Sequence, residues 1–237
     1  MTLDDLLVLY YALDEGSGTA ISDTSGNDNH GLFDTPDWTG GTANFTNNSP
    51  HNFIKVPILS SNVYPPAALT SKVSFSVWTK AASYNGGWID AIYVSESWQS
   101  NVLNFDFRFG NLGLNQHGQA SGVAFGVSGT NWPTGVWTHT VVTYDTTNAE
   151  VKCYINGALF DTQSFPTTNL KVLLYYAGLG TDPHDATRNF DGPMKAFGIW
   201  KRILTAAEAK KLYNGGTPLP LSRFRQANPL VGGGLIR

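Results

Sequence analysis

Apolar and polar residues alternate with a period of two along much of this chain. Residues 73–80 (VSFSVWTK) alternate cleanly, and in residues 194–201 Met194, Ala196, Gly198 and Trp200 alternate with Lys195, Phe197, Ile199 and Lys201. This is the repeat of a pleated strand with one face turned to a core. Further β-like runs cover residues 6–13, 31–33, 43–45, 53–57, 88–94, 102–109, 122–127, 136–144, 150–155, 158–165 and 171–177, with turn residues between them. Asn156-Gly157 is the strongest hairpin signal, since both residues accept the positive φ that a type I′ turn requires. About a dozen strands at even spacing, with no alternating helices, predict an all-β fold: a two-sheet antiparallel jelly-roll sandwich.

The period changes once. Thr205 is an N-cap residue and Glu208 stands three positions later, where its carboxylate reaches back to the cap's backbone N–H; the pair forms a capping box. Ala206, Ala207, Ala209, Lys210, Lys211 and Leu212 favour helix, the lysines fall in the last turn, and Gly215 and Gly216 stop it. Beyond Gly216 the periodicity ends. The stretch TPLPLSRFRQANPLVGGGLIR holds three prolines, three glycines and three arginines. The organisation expected is a jelly-roll domain over residues 1–216 and an extended basic arm over residues 217–237, laid on a neighbour or folded back across its own domain.

Composition narrows the class. With 41% hydrophobic and 13% aromatic residues in 237, the chain can build a large core without a covalent staple. Cys153 is the single cysteine, so no intrachain disulfide can form, and its place on the apolar side of a strand reads as a buried, inert thiol. The five histidines have no metal-ligand spacing. No run of eighteen apolar residues marks a membrane span. The opening MTLDDLLVLYYALDEGSG carries two aspartates where a secretory signal peptide carries positive charge, so no such signal is expected in it. Charge is uneven: residues 1–191 hold 17 acids and 7 bases, residues 192–237 hold 1 acid and 8 bases. The split suggests that the C-terminal region meets an acidic surface; the bases are too spread out to point to a specific nucleic-acid partner.

Four stretches, in order, resemble the laminin-G-like, concanavalin-A-like jelly-roll superfamily found in bacterial, phage and extracellular multidomain proteins. They are YALDEGSGTAISDTSGNDNHGL (residues 11–32), VSFSVWTK (residues 73–80), the hairpin GVWTHTVVTYD with VKCYINGA (residues 135–158), and the closing strand and capped helix (residues 190–213). The resemblance implies a jelly roll that binds its partner rather than cutting it. It also implies Ca²⁺ at the sandwich rim, for which Asp23, Asn27 and Asp28 supply hard oxygens. The closing strand departs from the pattern, with Lys195 where an aspartate is expected; Asp191 is the nearby compensating candidate. Without calcium, the D-T-S-G-N loop reads as a set of Asx turns.

No catalytic residues are assigned. Glycosidases of this architecture pair carboxylates two residues apart on one strand face, whereas residues 104–108 (NFDFR) hold one. Glu96, Glu150 and Glu208 are isolated, no nucleophile elbow, P-loop or zinc-protease motif occurs, and His139 reads as a packed histidine. Two functions remain. One is a structural or attachment protein that assembles into or decorates a larger particle, a phage virion above all. Its partners would be protein subunits, itself included, in a virion or extracellular assembly, and the anchor would be Arg223, Phe224, Arg225 and Arg237. The other is a lectin-like module for cell-surface glycan, calcium-dependent or not, in which Trp88, Trp98 and Trp132 stack on sugar; Trp38, Trp78, Trp137 and Trp200 read as core.

Overall fold

The computed structural model describes residues 2–46, 52–57, 69–82, 92–94, 103–108, 111–116, 123–125, 133–145, 147–164, 172–173, 176–182 and 185–224. Two antiparallel sheets dominate. The larger has seven strands in the order Leu7–Tyr11, Gly192–Trp200, Lys72–Thr79, Thr138–Asp145, Glu150–Ile155 and Ala158–Ser164, with Ala43–Phe45 also paired to Gly192–Trp200. The second has five, in the order Ala20–Ile21, Gly31–Asp34, Phe53–Pro57, Tyr176–Leu179 and Ile92–Val94. Among the described residues the first and last strands thus lie side by side, and the central strands come from distant stretches: this is a jelly-roll sandwich.

The first core fills the space between the sheets. Ile21, Phe33, Ile54 and Leu179 of the smaller sheet meet Leu9, Phe75, Val142, Cys153, Phe197 and Ile199 of the larger. The outer face of the larger sheet is covered as well. Leu7, Tyr10, Trp78, Val141, Tyr154 and Trp200 cluster there under Leu3, Leu204, Ala209, Leu212, Leu219 and Phe224. Strands buried on both faces have no reason to alternate. Leu7–Tyr11 (LVLYY) and Thr138–Asp145 are buried at every position.

The closing strand departs from simple alternation. Lys195 pairs with Trp78 and Gly198 with Ser76, so two residues, Ala196 and Phe197, oppose Val77. Ala196 sits at φ 52° in this bulge. An extra residue shifts the phase of everything beyond it. Met194 therefore joins Phe197 and Ile199 in the inner core, whereas Ala196 and Trp200 face outward. The face that simple alternation assigns to Met194 is corrected by the bulge.

The helix Ala206–Tyr213 forms as its sequence predicts. Glu208 N–H donates to Thr205 Oγ at 3.2 Å and Thr205 N–H donates to Glu208 Oε2 at 2.8 Å. Its C-cap is Asn214 in the left-handed region, one residue before the glycines. The helix lies on the Asn156-Gly157 turn, where a Cβ on Gly157 would come within 3.0 Å of the Lys210 Cα. Glycine is required there twice over, for the φ of +78° and for the close approach of the helix. At the start of the stretch that the sequence assigns to an extended arm, Leu219 and Phe224 pack into the outer core, 4% and 0% exposed.

Candidate functional site

The loop of residues 22–29 covers the free edge of Leu7–Tyr11. Thr24 N–H donates to the Tyr10 carbonyl at 3.0 Å, Asn27 Nδ2 to the carbonyls of Leu7 and Val8 at 2.8 and 3.0 Å, and Asn29 Nδ2 to Val8 at 2.8 Å. Asp23 is buried and holds the loop together. Its Oδ1 accepts from the backbone N–H groups of Tyr10 and Ser25, both at 2.9 Å, and its Oδ2 accepts from Ser25 Oγ at 2.8 Å and Asn29 N–H at 3.0 Å. Four donors fill the lone-pair sites of a carboxylate.

That arrangement does not fit the calcium site expected of this loop. Asn27 turns its amide nitrogen, not its oxygen, to its partners, and Asp28 is exposed, its carboxylate 3.8 Å from His30 Nε2. Asp191 lies at the entry to the closing strand, where its carbonyl accepts from Ala82 N–H at 2.8 Å. Among the described residues no group of three or more His, Cys, Asp or Glu side chains could hold a metal ion. The Asx-rich motif acts here as an edge cover, protecting a sheet edge from pairing with another strand. Lys195, which stands where the resemblance expects an aspartate, lies over aromatic rings, 4.0 Å from the Trp137 centroid and 5.6 Å from that of Trp78.

The outer face also carries an open groove of about 390 Å³. One wall is Pro218–Leu221, which follows the helix; the other is the closing strand at Lys195 and Ala196 with the chain just after Leu7–Tyr11. Asp14, Thr24 and Thr42 stand on its rim. Tyr10 ties floor to wall by donating its hydroxyl to the Leu219 carbonyl at 3.2 Å. Lys195 was singled out by sequence as a departure from a metal motif; its place in a groove follows from the bulge, for which an alanine gives no local signal. Of the expected anchor residues, Arg223 is exposed and Phe224 is buried. Arg225, Arg237 and the glycan-contact candidates Trp88, Trp98 and Trp132 lie outside the described residues.

Two reactive residue types on the larger sheet are packed away. Burial pushes the Cys153 thiol well above its usual range, with the Asp161 charge adding to the effect. His139 is 1% exposed, its Nε2 2.9 Å from Ser76 Oγ, and its ring packs against those of Trp78 and Tyr213, which also stack on each other. The Ser–His distance is suitable for a nucleophile and base, but both side chains lie beneath the helix and out of reach of a substrate. Burial lowers the His139 pKa from 6.5 to about 3. The unfolded chain therefore binds a proton that the fold refuses, so this stability is fully present above pH 6.5 and declines toward pH 3. One proton corresponds to a slope of about 1.4 kcal/mol per pH unit. Urea unfolding between pH 5.5 and 4.5 should show a steeper fall in the wild type than in His139→Gln, by about that slope, whatever the variant's absolute stability.

The fold and the capped closing element define the class: a lectin-type jelly roll. A family model described as the concanavalin A-like lectin/glucanases superfamily matches residues 58–210, and the chain belongs to that family. No curated protein sequence matches it. Among solved structures it is similar to the receptor-binding domain of botulinum neurotoxin D, at TM-score 0.66 and 19% identity over 90% of this chain and 54% of that one. It is similar to the binding domain of Paraclostridial Mosquitocidal Protein 1, at TM-score 0.63 and 17% identity over 90% of this chain and 52% of that one. A botulinum neurotoxin type C structure, described by the dependence of that toxin's cell entry on interaction with two ganglioside molecules, matches at TM-score 0.63 and 17% identity over 90% of this chain and 51% of that one. The chain spans about half the length of these domains.

Proposed function

We propose that this chain is a non-catalytic binding module that recognises glycan on a cell surface. The observation that carries the reading is the likeness of nine-tenths of the chain to toxin domains described by the receptors and gangliosides they bind. The burial of Ser76, His139 and Cys153 agrees with a protein that holds rather than transforms its partner. Trp88, Trp98 and Trp132 remain the candidate stacking residues. A glycan array with the full chain tests the reading: one class of glycan should be retained above the others, in the presence or absence of a chelator. An array without selective retention would reject it.

A second reading rests on the charge split. After Phe224 the chain continues with Arg225 and Arg237 and no acid, so residues 225–237 supply a basic tail to an otherwise acidic chain. In this reading the domain decorates a larger assembly, such as a phage virion, and the tail attaches it to an acidic neighbour or to a second copy. Removing residues 225–237 should then abolish incorporation into the particle and leave glycan retention unchanged; unchanged incorporation would reject the attachment role.

A further inference from the structure

The polar side chains of the outer-face groove offer acceptors and few donors. Lys195 stands on its wall, but the ammonium is laid over the rings of Trp137 and Trp78, neither of which lines the groove. The Tyr10 hydroxyl gives its proton to the Leu219 carbonyl at 3.2 Å, and the Thr24 hydroxyl gives its proton to the Tyr10 carbonyl at 3.1 Å. A hydroxyl has one proton, so what both keep for a ligand is lone pairs. Asp14, on the rim, adds a carboxylate, which when ionised only accepts. Within the described residues no hydrogen bond or ion pair takes up that carboxylate. Its charge reaches the floor: burial first, and then Asp14, hold the Tyr10 hydroxyl above its usual range. The rest of the lining is apolar apart from Thr42, with Ala12, Ala196 and Pro218–Leu221 around a volume of about 390 Å³, within the range of small-ligand sites. One carboxylate and several lone pairs beside an apolar wall are the complement of an ammonium on a compact body with an apolar face.

We propose that this groove binds a sugar unit bearing one free amino group, with Asp14 receiving the ammonium. The proposal rests on the glycan-binding reading above and names its ligand class and site. An ammonium carries three donors and no acceptor, which matches a carboxylate whose neighbours have already given their protons away. The ring hydroxyls of the sugar supply further donors for the lone pairs of Thr24 and Tyr10 and can accept from Thr42. The wall of Pro218, Leu219 and Leu221 offers the C–H face of the ring a dry surface. A carboxylated sugar would set its charge against Asp14, and an N-acetylated one has no charge to offer it. A lysine side chain of a peptide would bring the ammonium but no hydroxyls for Thr24 and Tyr10. Asp14 is exposed, whereas its neighbour Leu13 is locked into the inner core, so the carboxylate is held at the opening by a fixed stretch of backbone.

The test uses the full chain and three ligands that differ at one position of the ring, methyl β-glucosaminide, its N-acetyl derivative and methyl β-glucoside. They are titrated by NMR at about pH 6, where amine and carboxylate are both ionised. The glucosaminide should shift resonances of Asp14, Ala196 and Leu221 and bind at least about tenfold more tightly than the other two, as a charge-assisted hydrogen bond implies. Asp14→Asn, a change at an exposed position, should bring the glucosaminide to the level of the glucoside. Equal binding of the three sugars, no shifts at the groove, an unchanged Asp14→Asn titration, or tighter binding of Nα-acetyl-lysine methylamide than of the glucosaminide would each overturn the proposal. Glycan-array retention that survives Asp14→Asn would reject the groove and leave the broader reading intact; an array without selective retention would reject the broader reading itself.

Discussion

Replacing Arg202 with methionine is expected to lower stability by about 3–5 kcal/mol, the cost of removing one partner from a buried ion pair. Arg202 is 6% exposed and saturates its guanidinium. Its Nη1 and Nη2 donate to the two oxygens of Glu208 at 2.9 and 2.7 Å, Nη2 also donates to the Thr2 carbonyl at 3.0 Å, and Nε donates to the Asp5 carbonyl at 2.8 Å. One side chain thus ties the first residues of the chain to the first turn of the helix. Methionine fills much of the volume but takes the Arg202 donor from the carbonyls of Thr2, Asp5 and Ile203 and leaves the Glu208 carboxylate with its Thr205 bonds alone. Burial alone would raise the Glu208 pKa; the Arg202 and Thr205 hydrogen bonds outweigh it and hold the group below its usual value. A depressed carboxylate stabilises the fold at neutral pH and ceases to do so as pH falls through its folded pKa. The wild-type advantage over Arg202→Met, measured by urea unfolding, should therefore be full at pH 7 and shrink in acid. A loss below about 1 kcal/mol at pH 7 would place the pair among ordinary surface ion pairs.

The same pair marks the limit of what the sequence discloses. The capping box is legible because both halves lie within four residues and satisfy backbone donors locally. The partnership of Glu208 with Arg202 is not, because it depends on how the helix turns back over the strand before it. Strands are legible wherever an apolar run is long or alternating. Asn111–Gln116 (NLGLNQ) is not: it carries a glycine and three amide side chains, and its strand state comes from pairing with Leu103–Arg108 and Val123–Phe125. The Asx loop was read two ways, as metal ligands and as turns, and hydrogen bonding to the sheet edge accounts for its donors and acceptors. Lys195 was legible as an anomaly and not as a groove residue, since the bulge at Ala196 decides which face it occupies. No alanine announces a bulge.

A chain ending at Gly216 is expected to melt far below the full chain, and a chain ending at Phe224 is expected to match it. Phe224 is fully buried, edge-on to Tyr10 at 5.1 Å and stacked on Trp200 at 6.2 Å. Its carbonyl accepts from Leu3 N–H at 3.2 Å, and the Leu219 carbonyl accepts from the Tyr10 hydroxyl, also at 3.2 Å. Truncating one such aromatic side chain to alanine costs about 3–5 kcal/mol and a buried leucine about 2–5 kcal/mol. Loss of both also uncovers the outer faces of Tyr10 and Trp200. Phe224→Ala in the full chain isolates the aromatic part of this cost, and thermal unfolding of the three chains reads it directly. If the chain ending at Gly216 melted with the full chain, the burial of Leu219 and Phe224 would contribute nothing to stability. The distinction bears on both functional readings. Removing residues 217–237 takes away the Pro218–Leu221 wall of the groove and part of the core, so a loss of partner binding would follow from unfolding as readily as from a missing contact. Cutting after Phe224 removes Arg225 and Arg237 and keeps Leu219 and Phe224, which makes it the truncation that separates attachment by the tail from recognition by the folded domain.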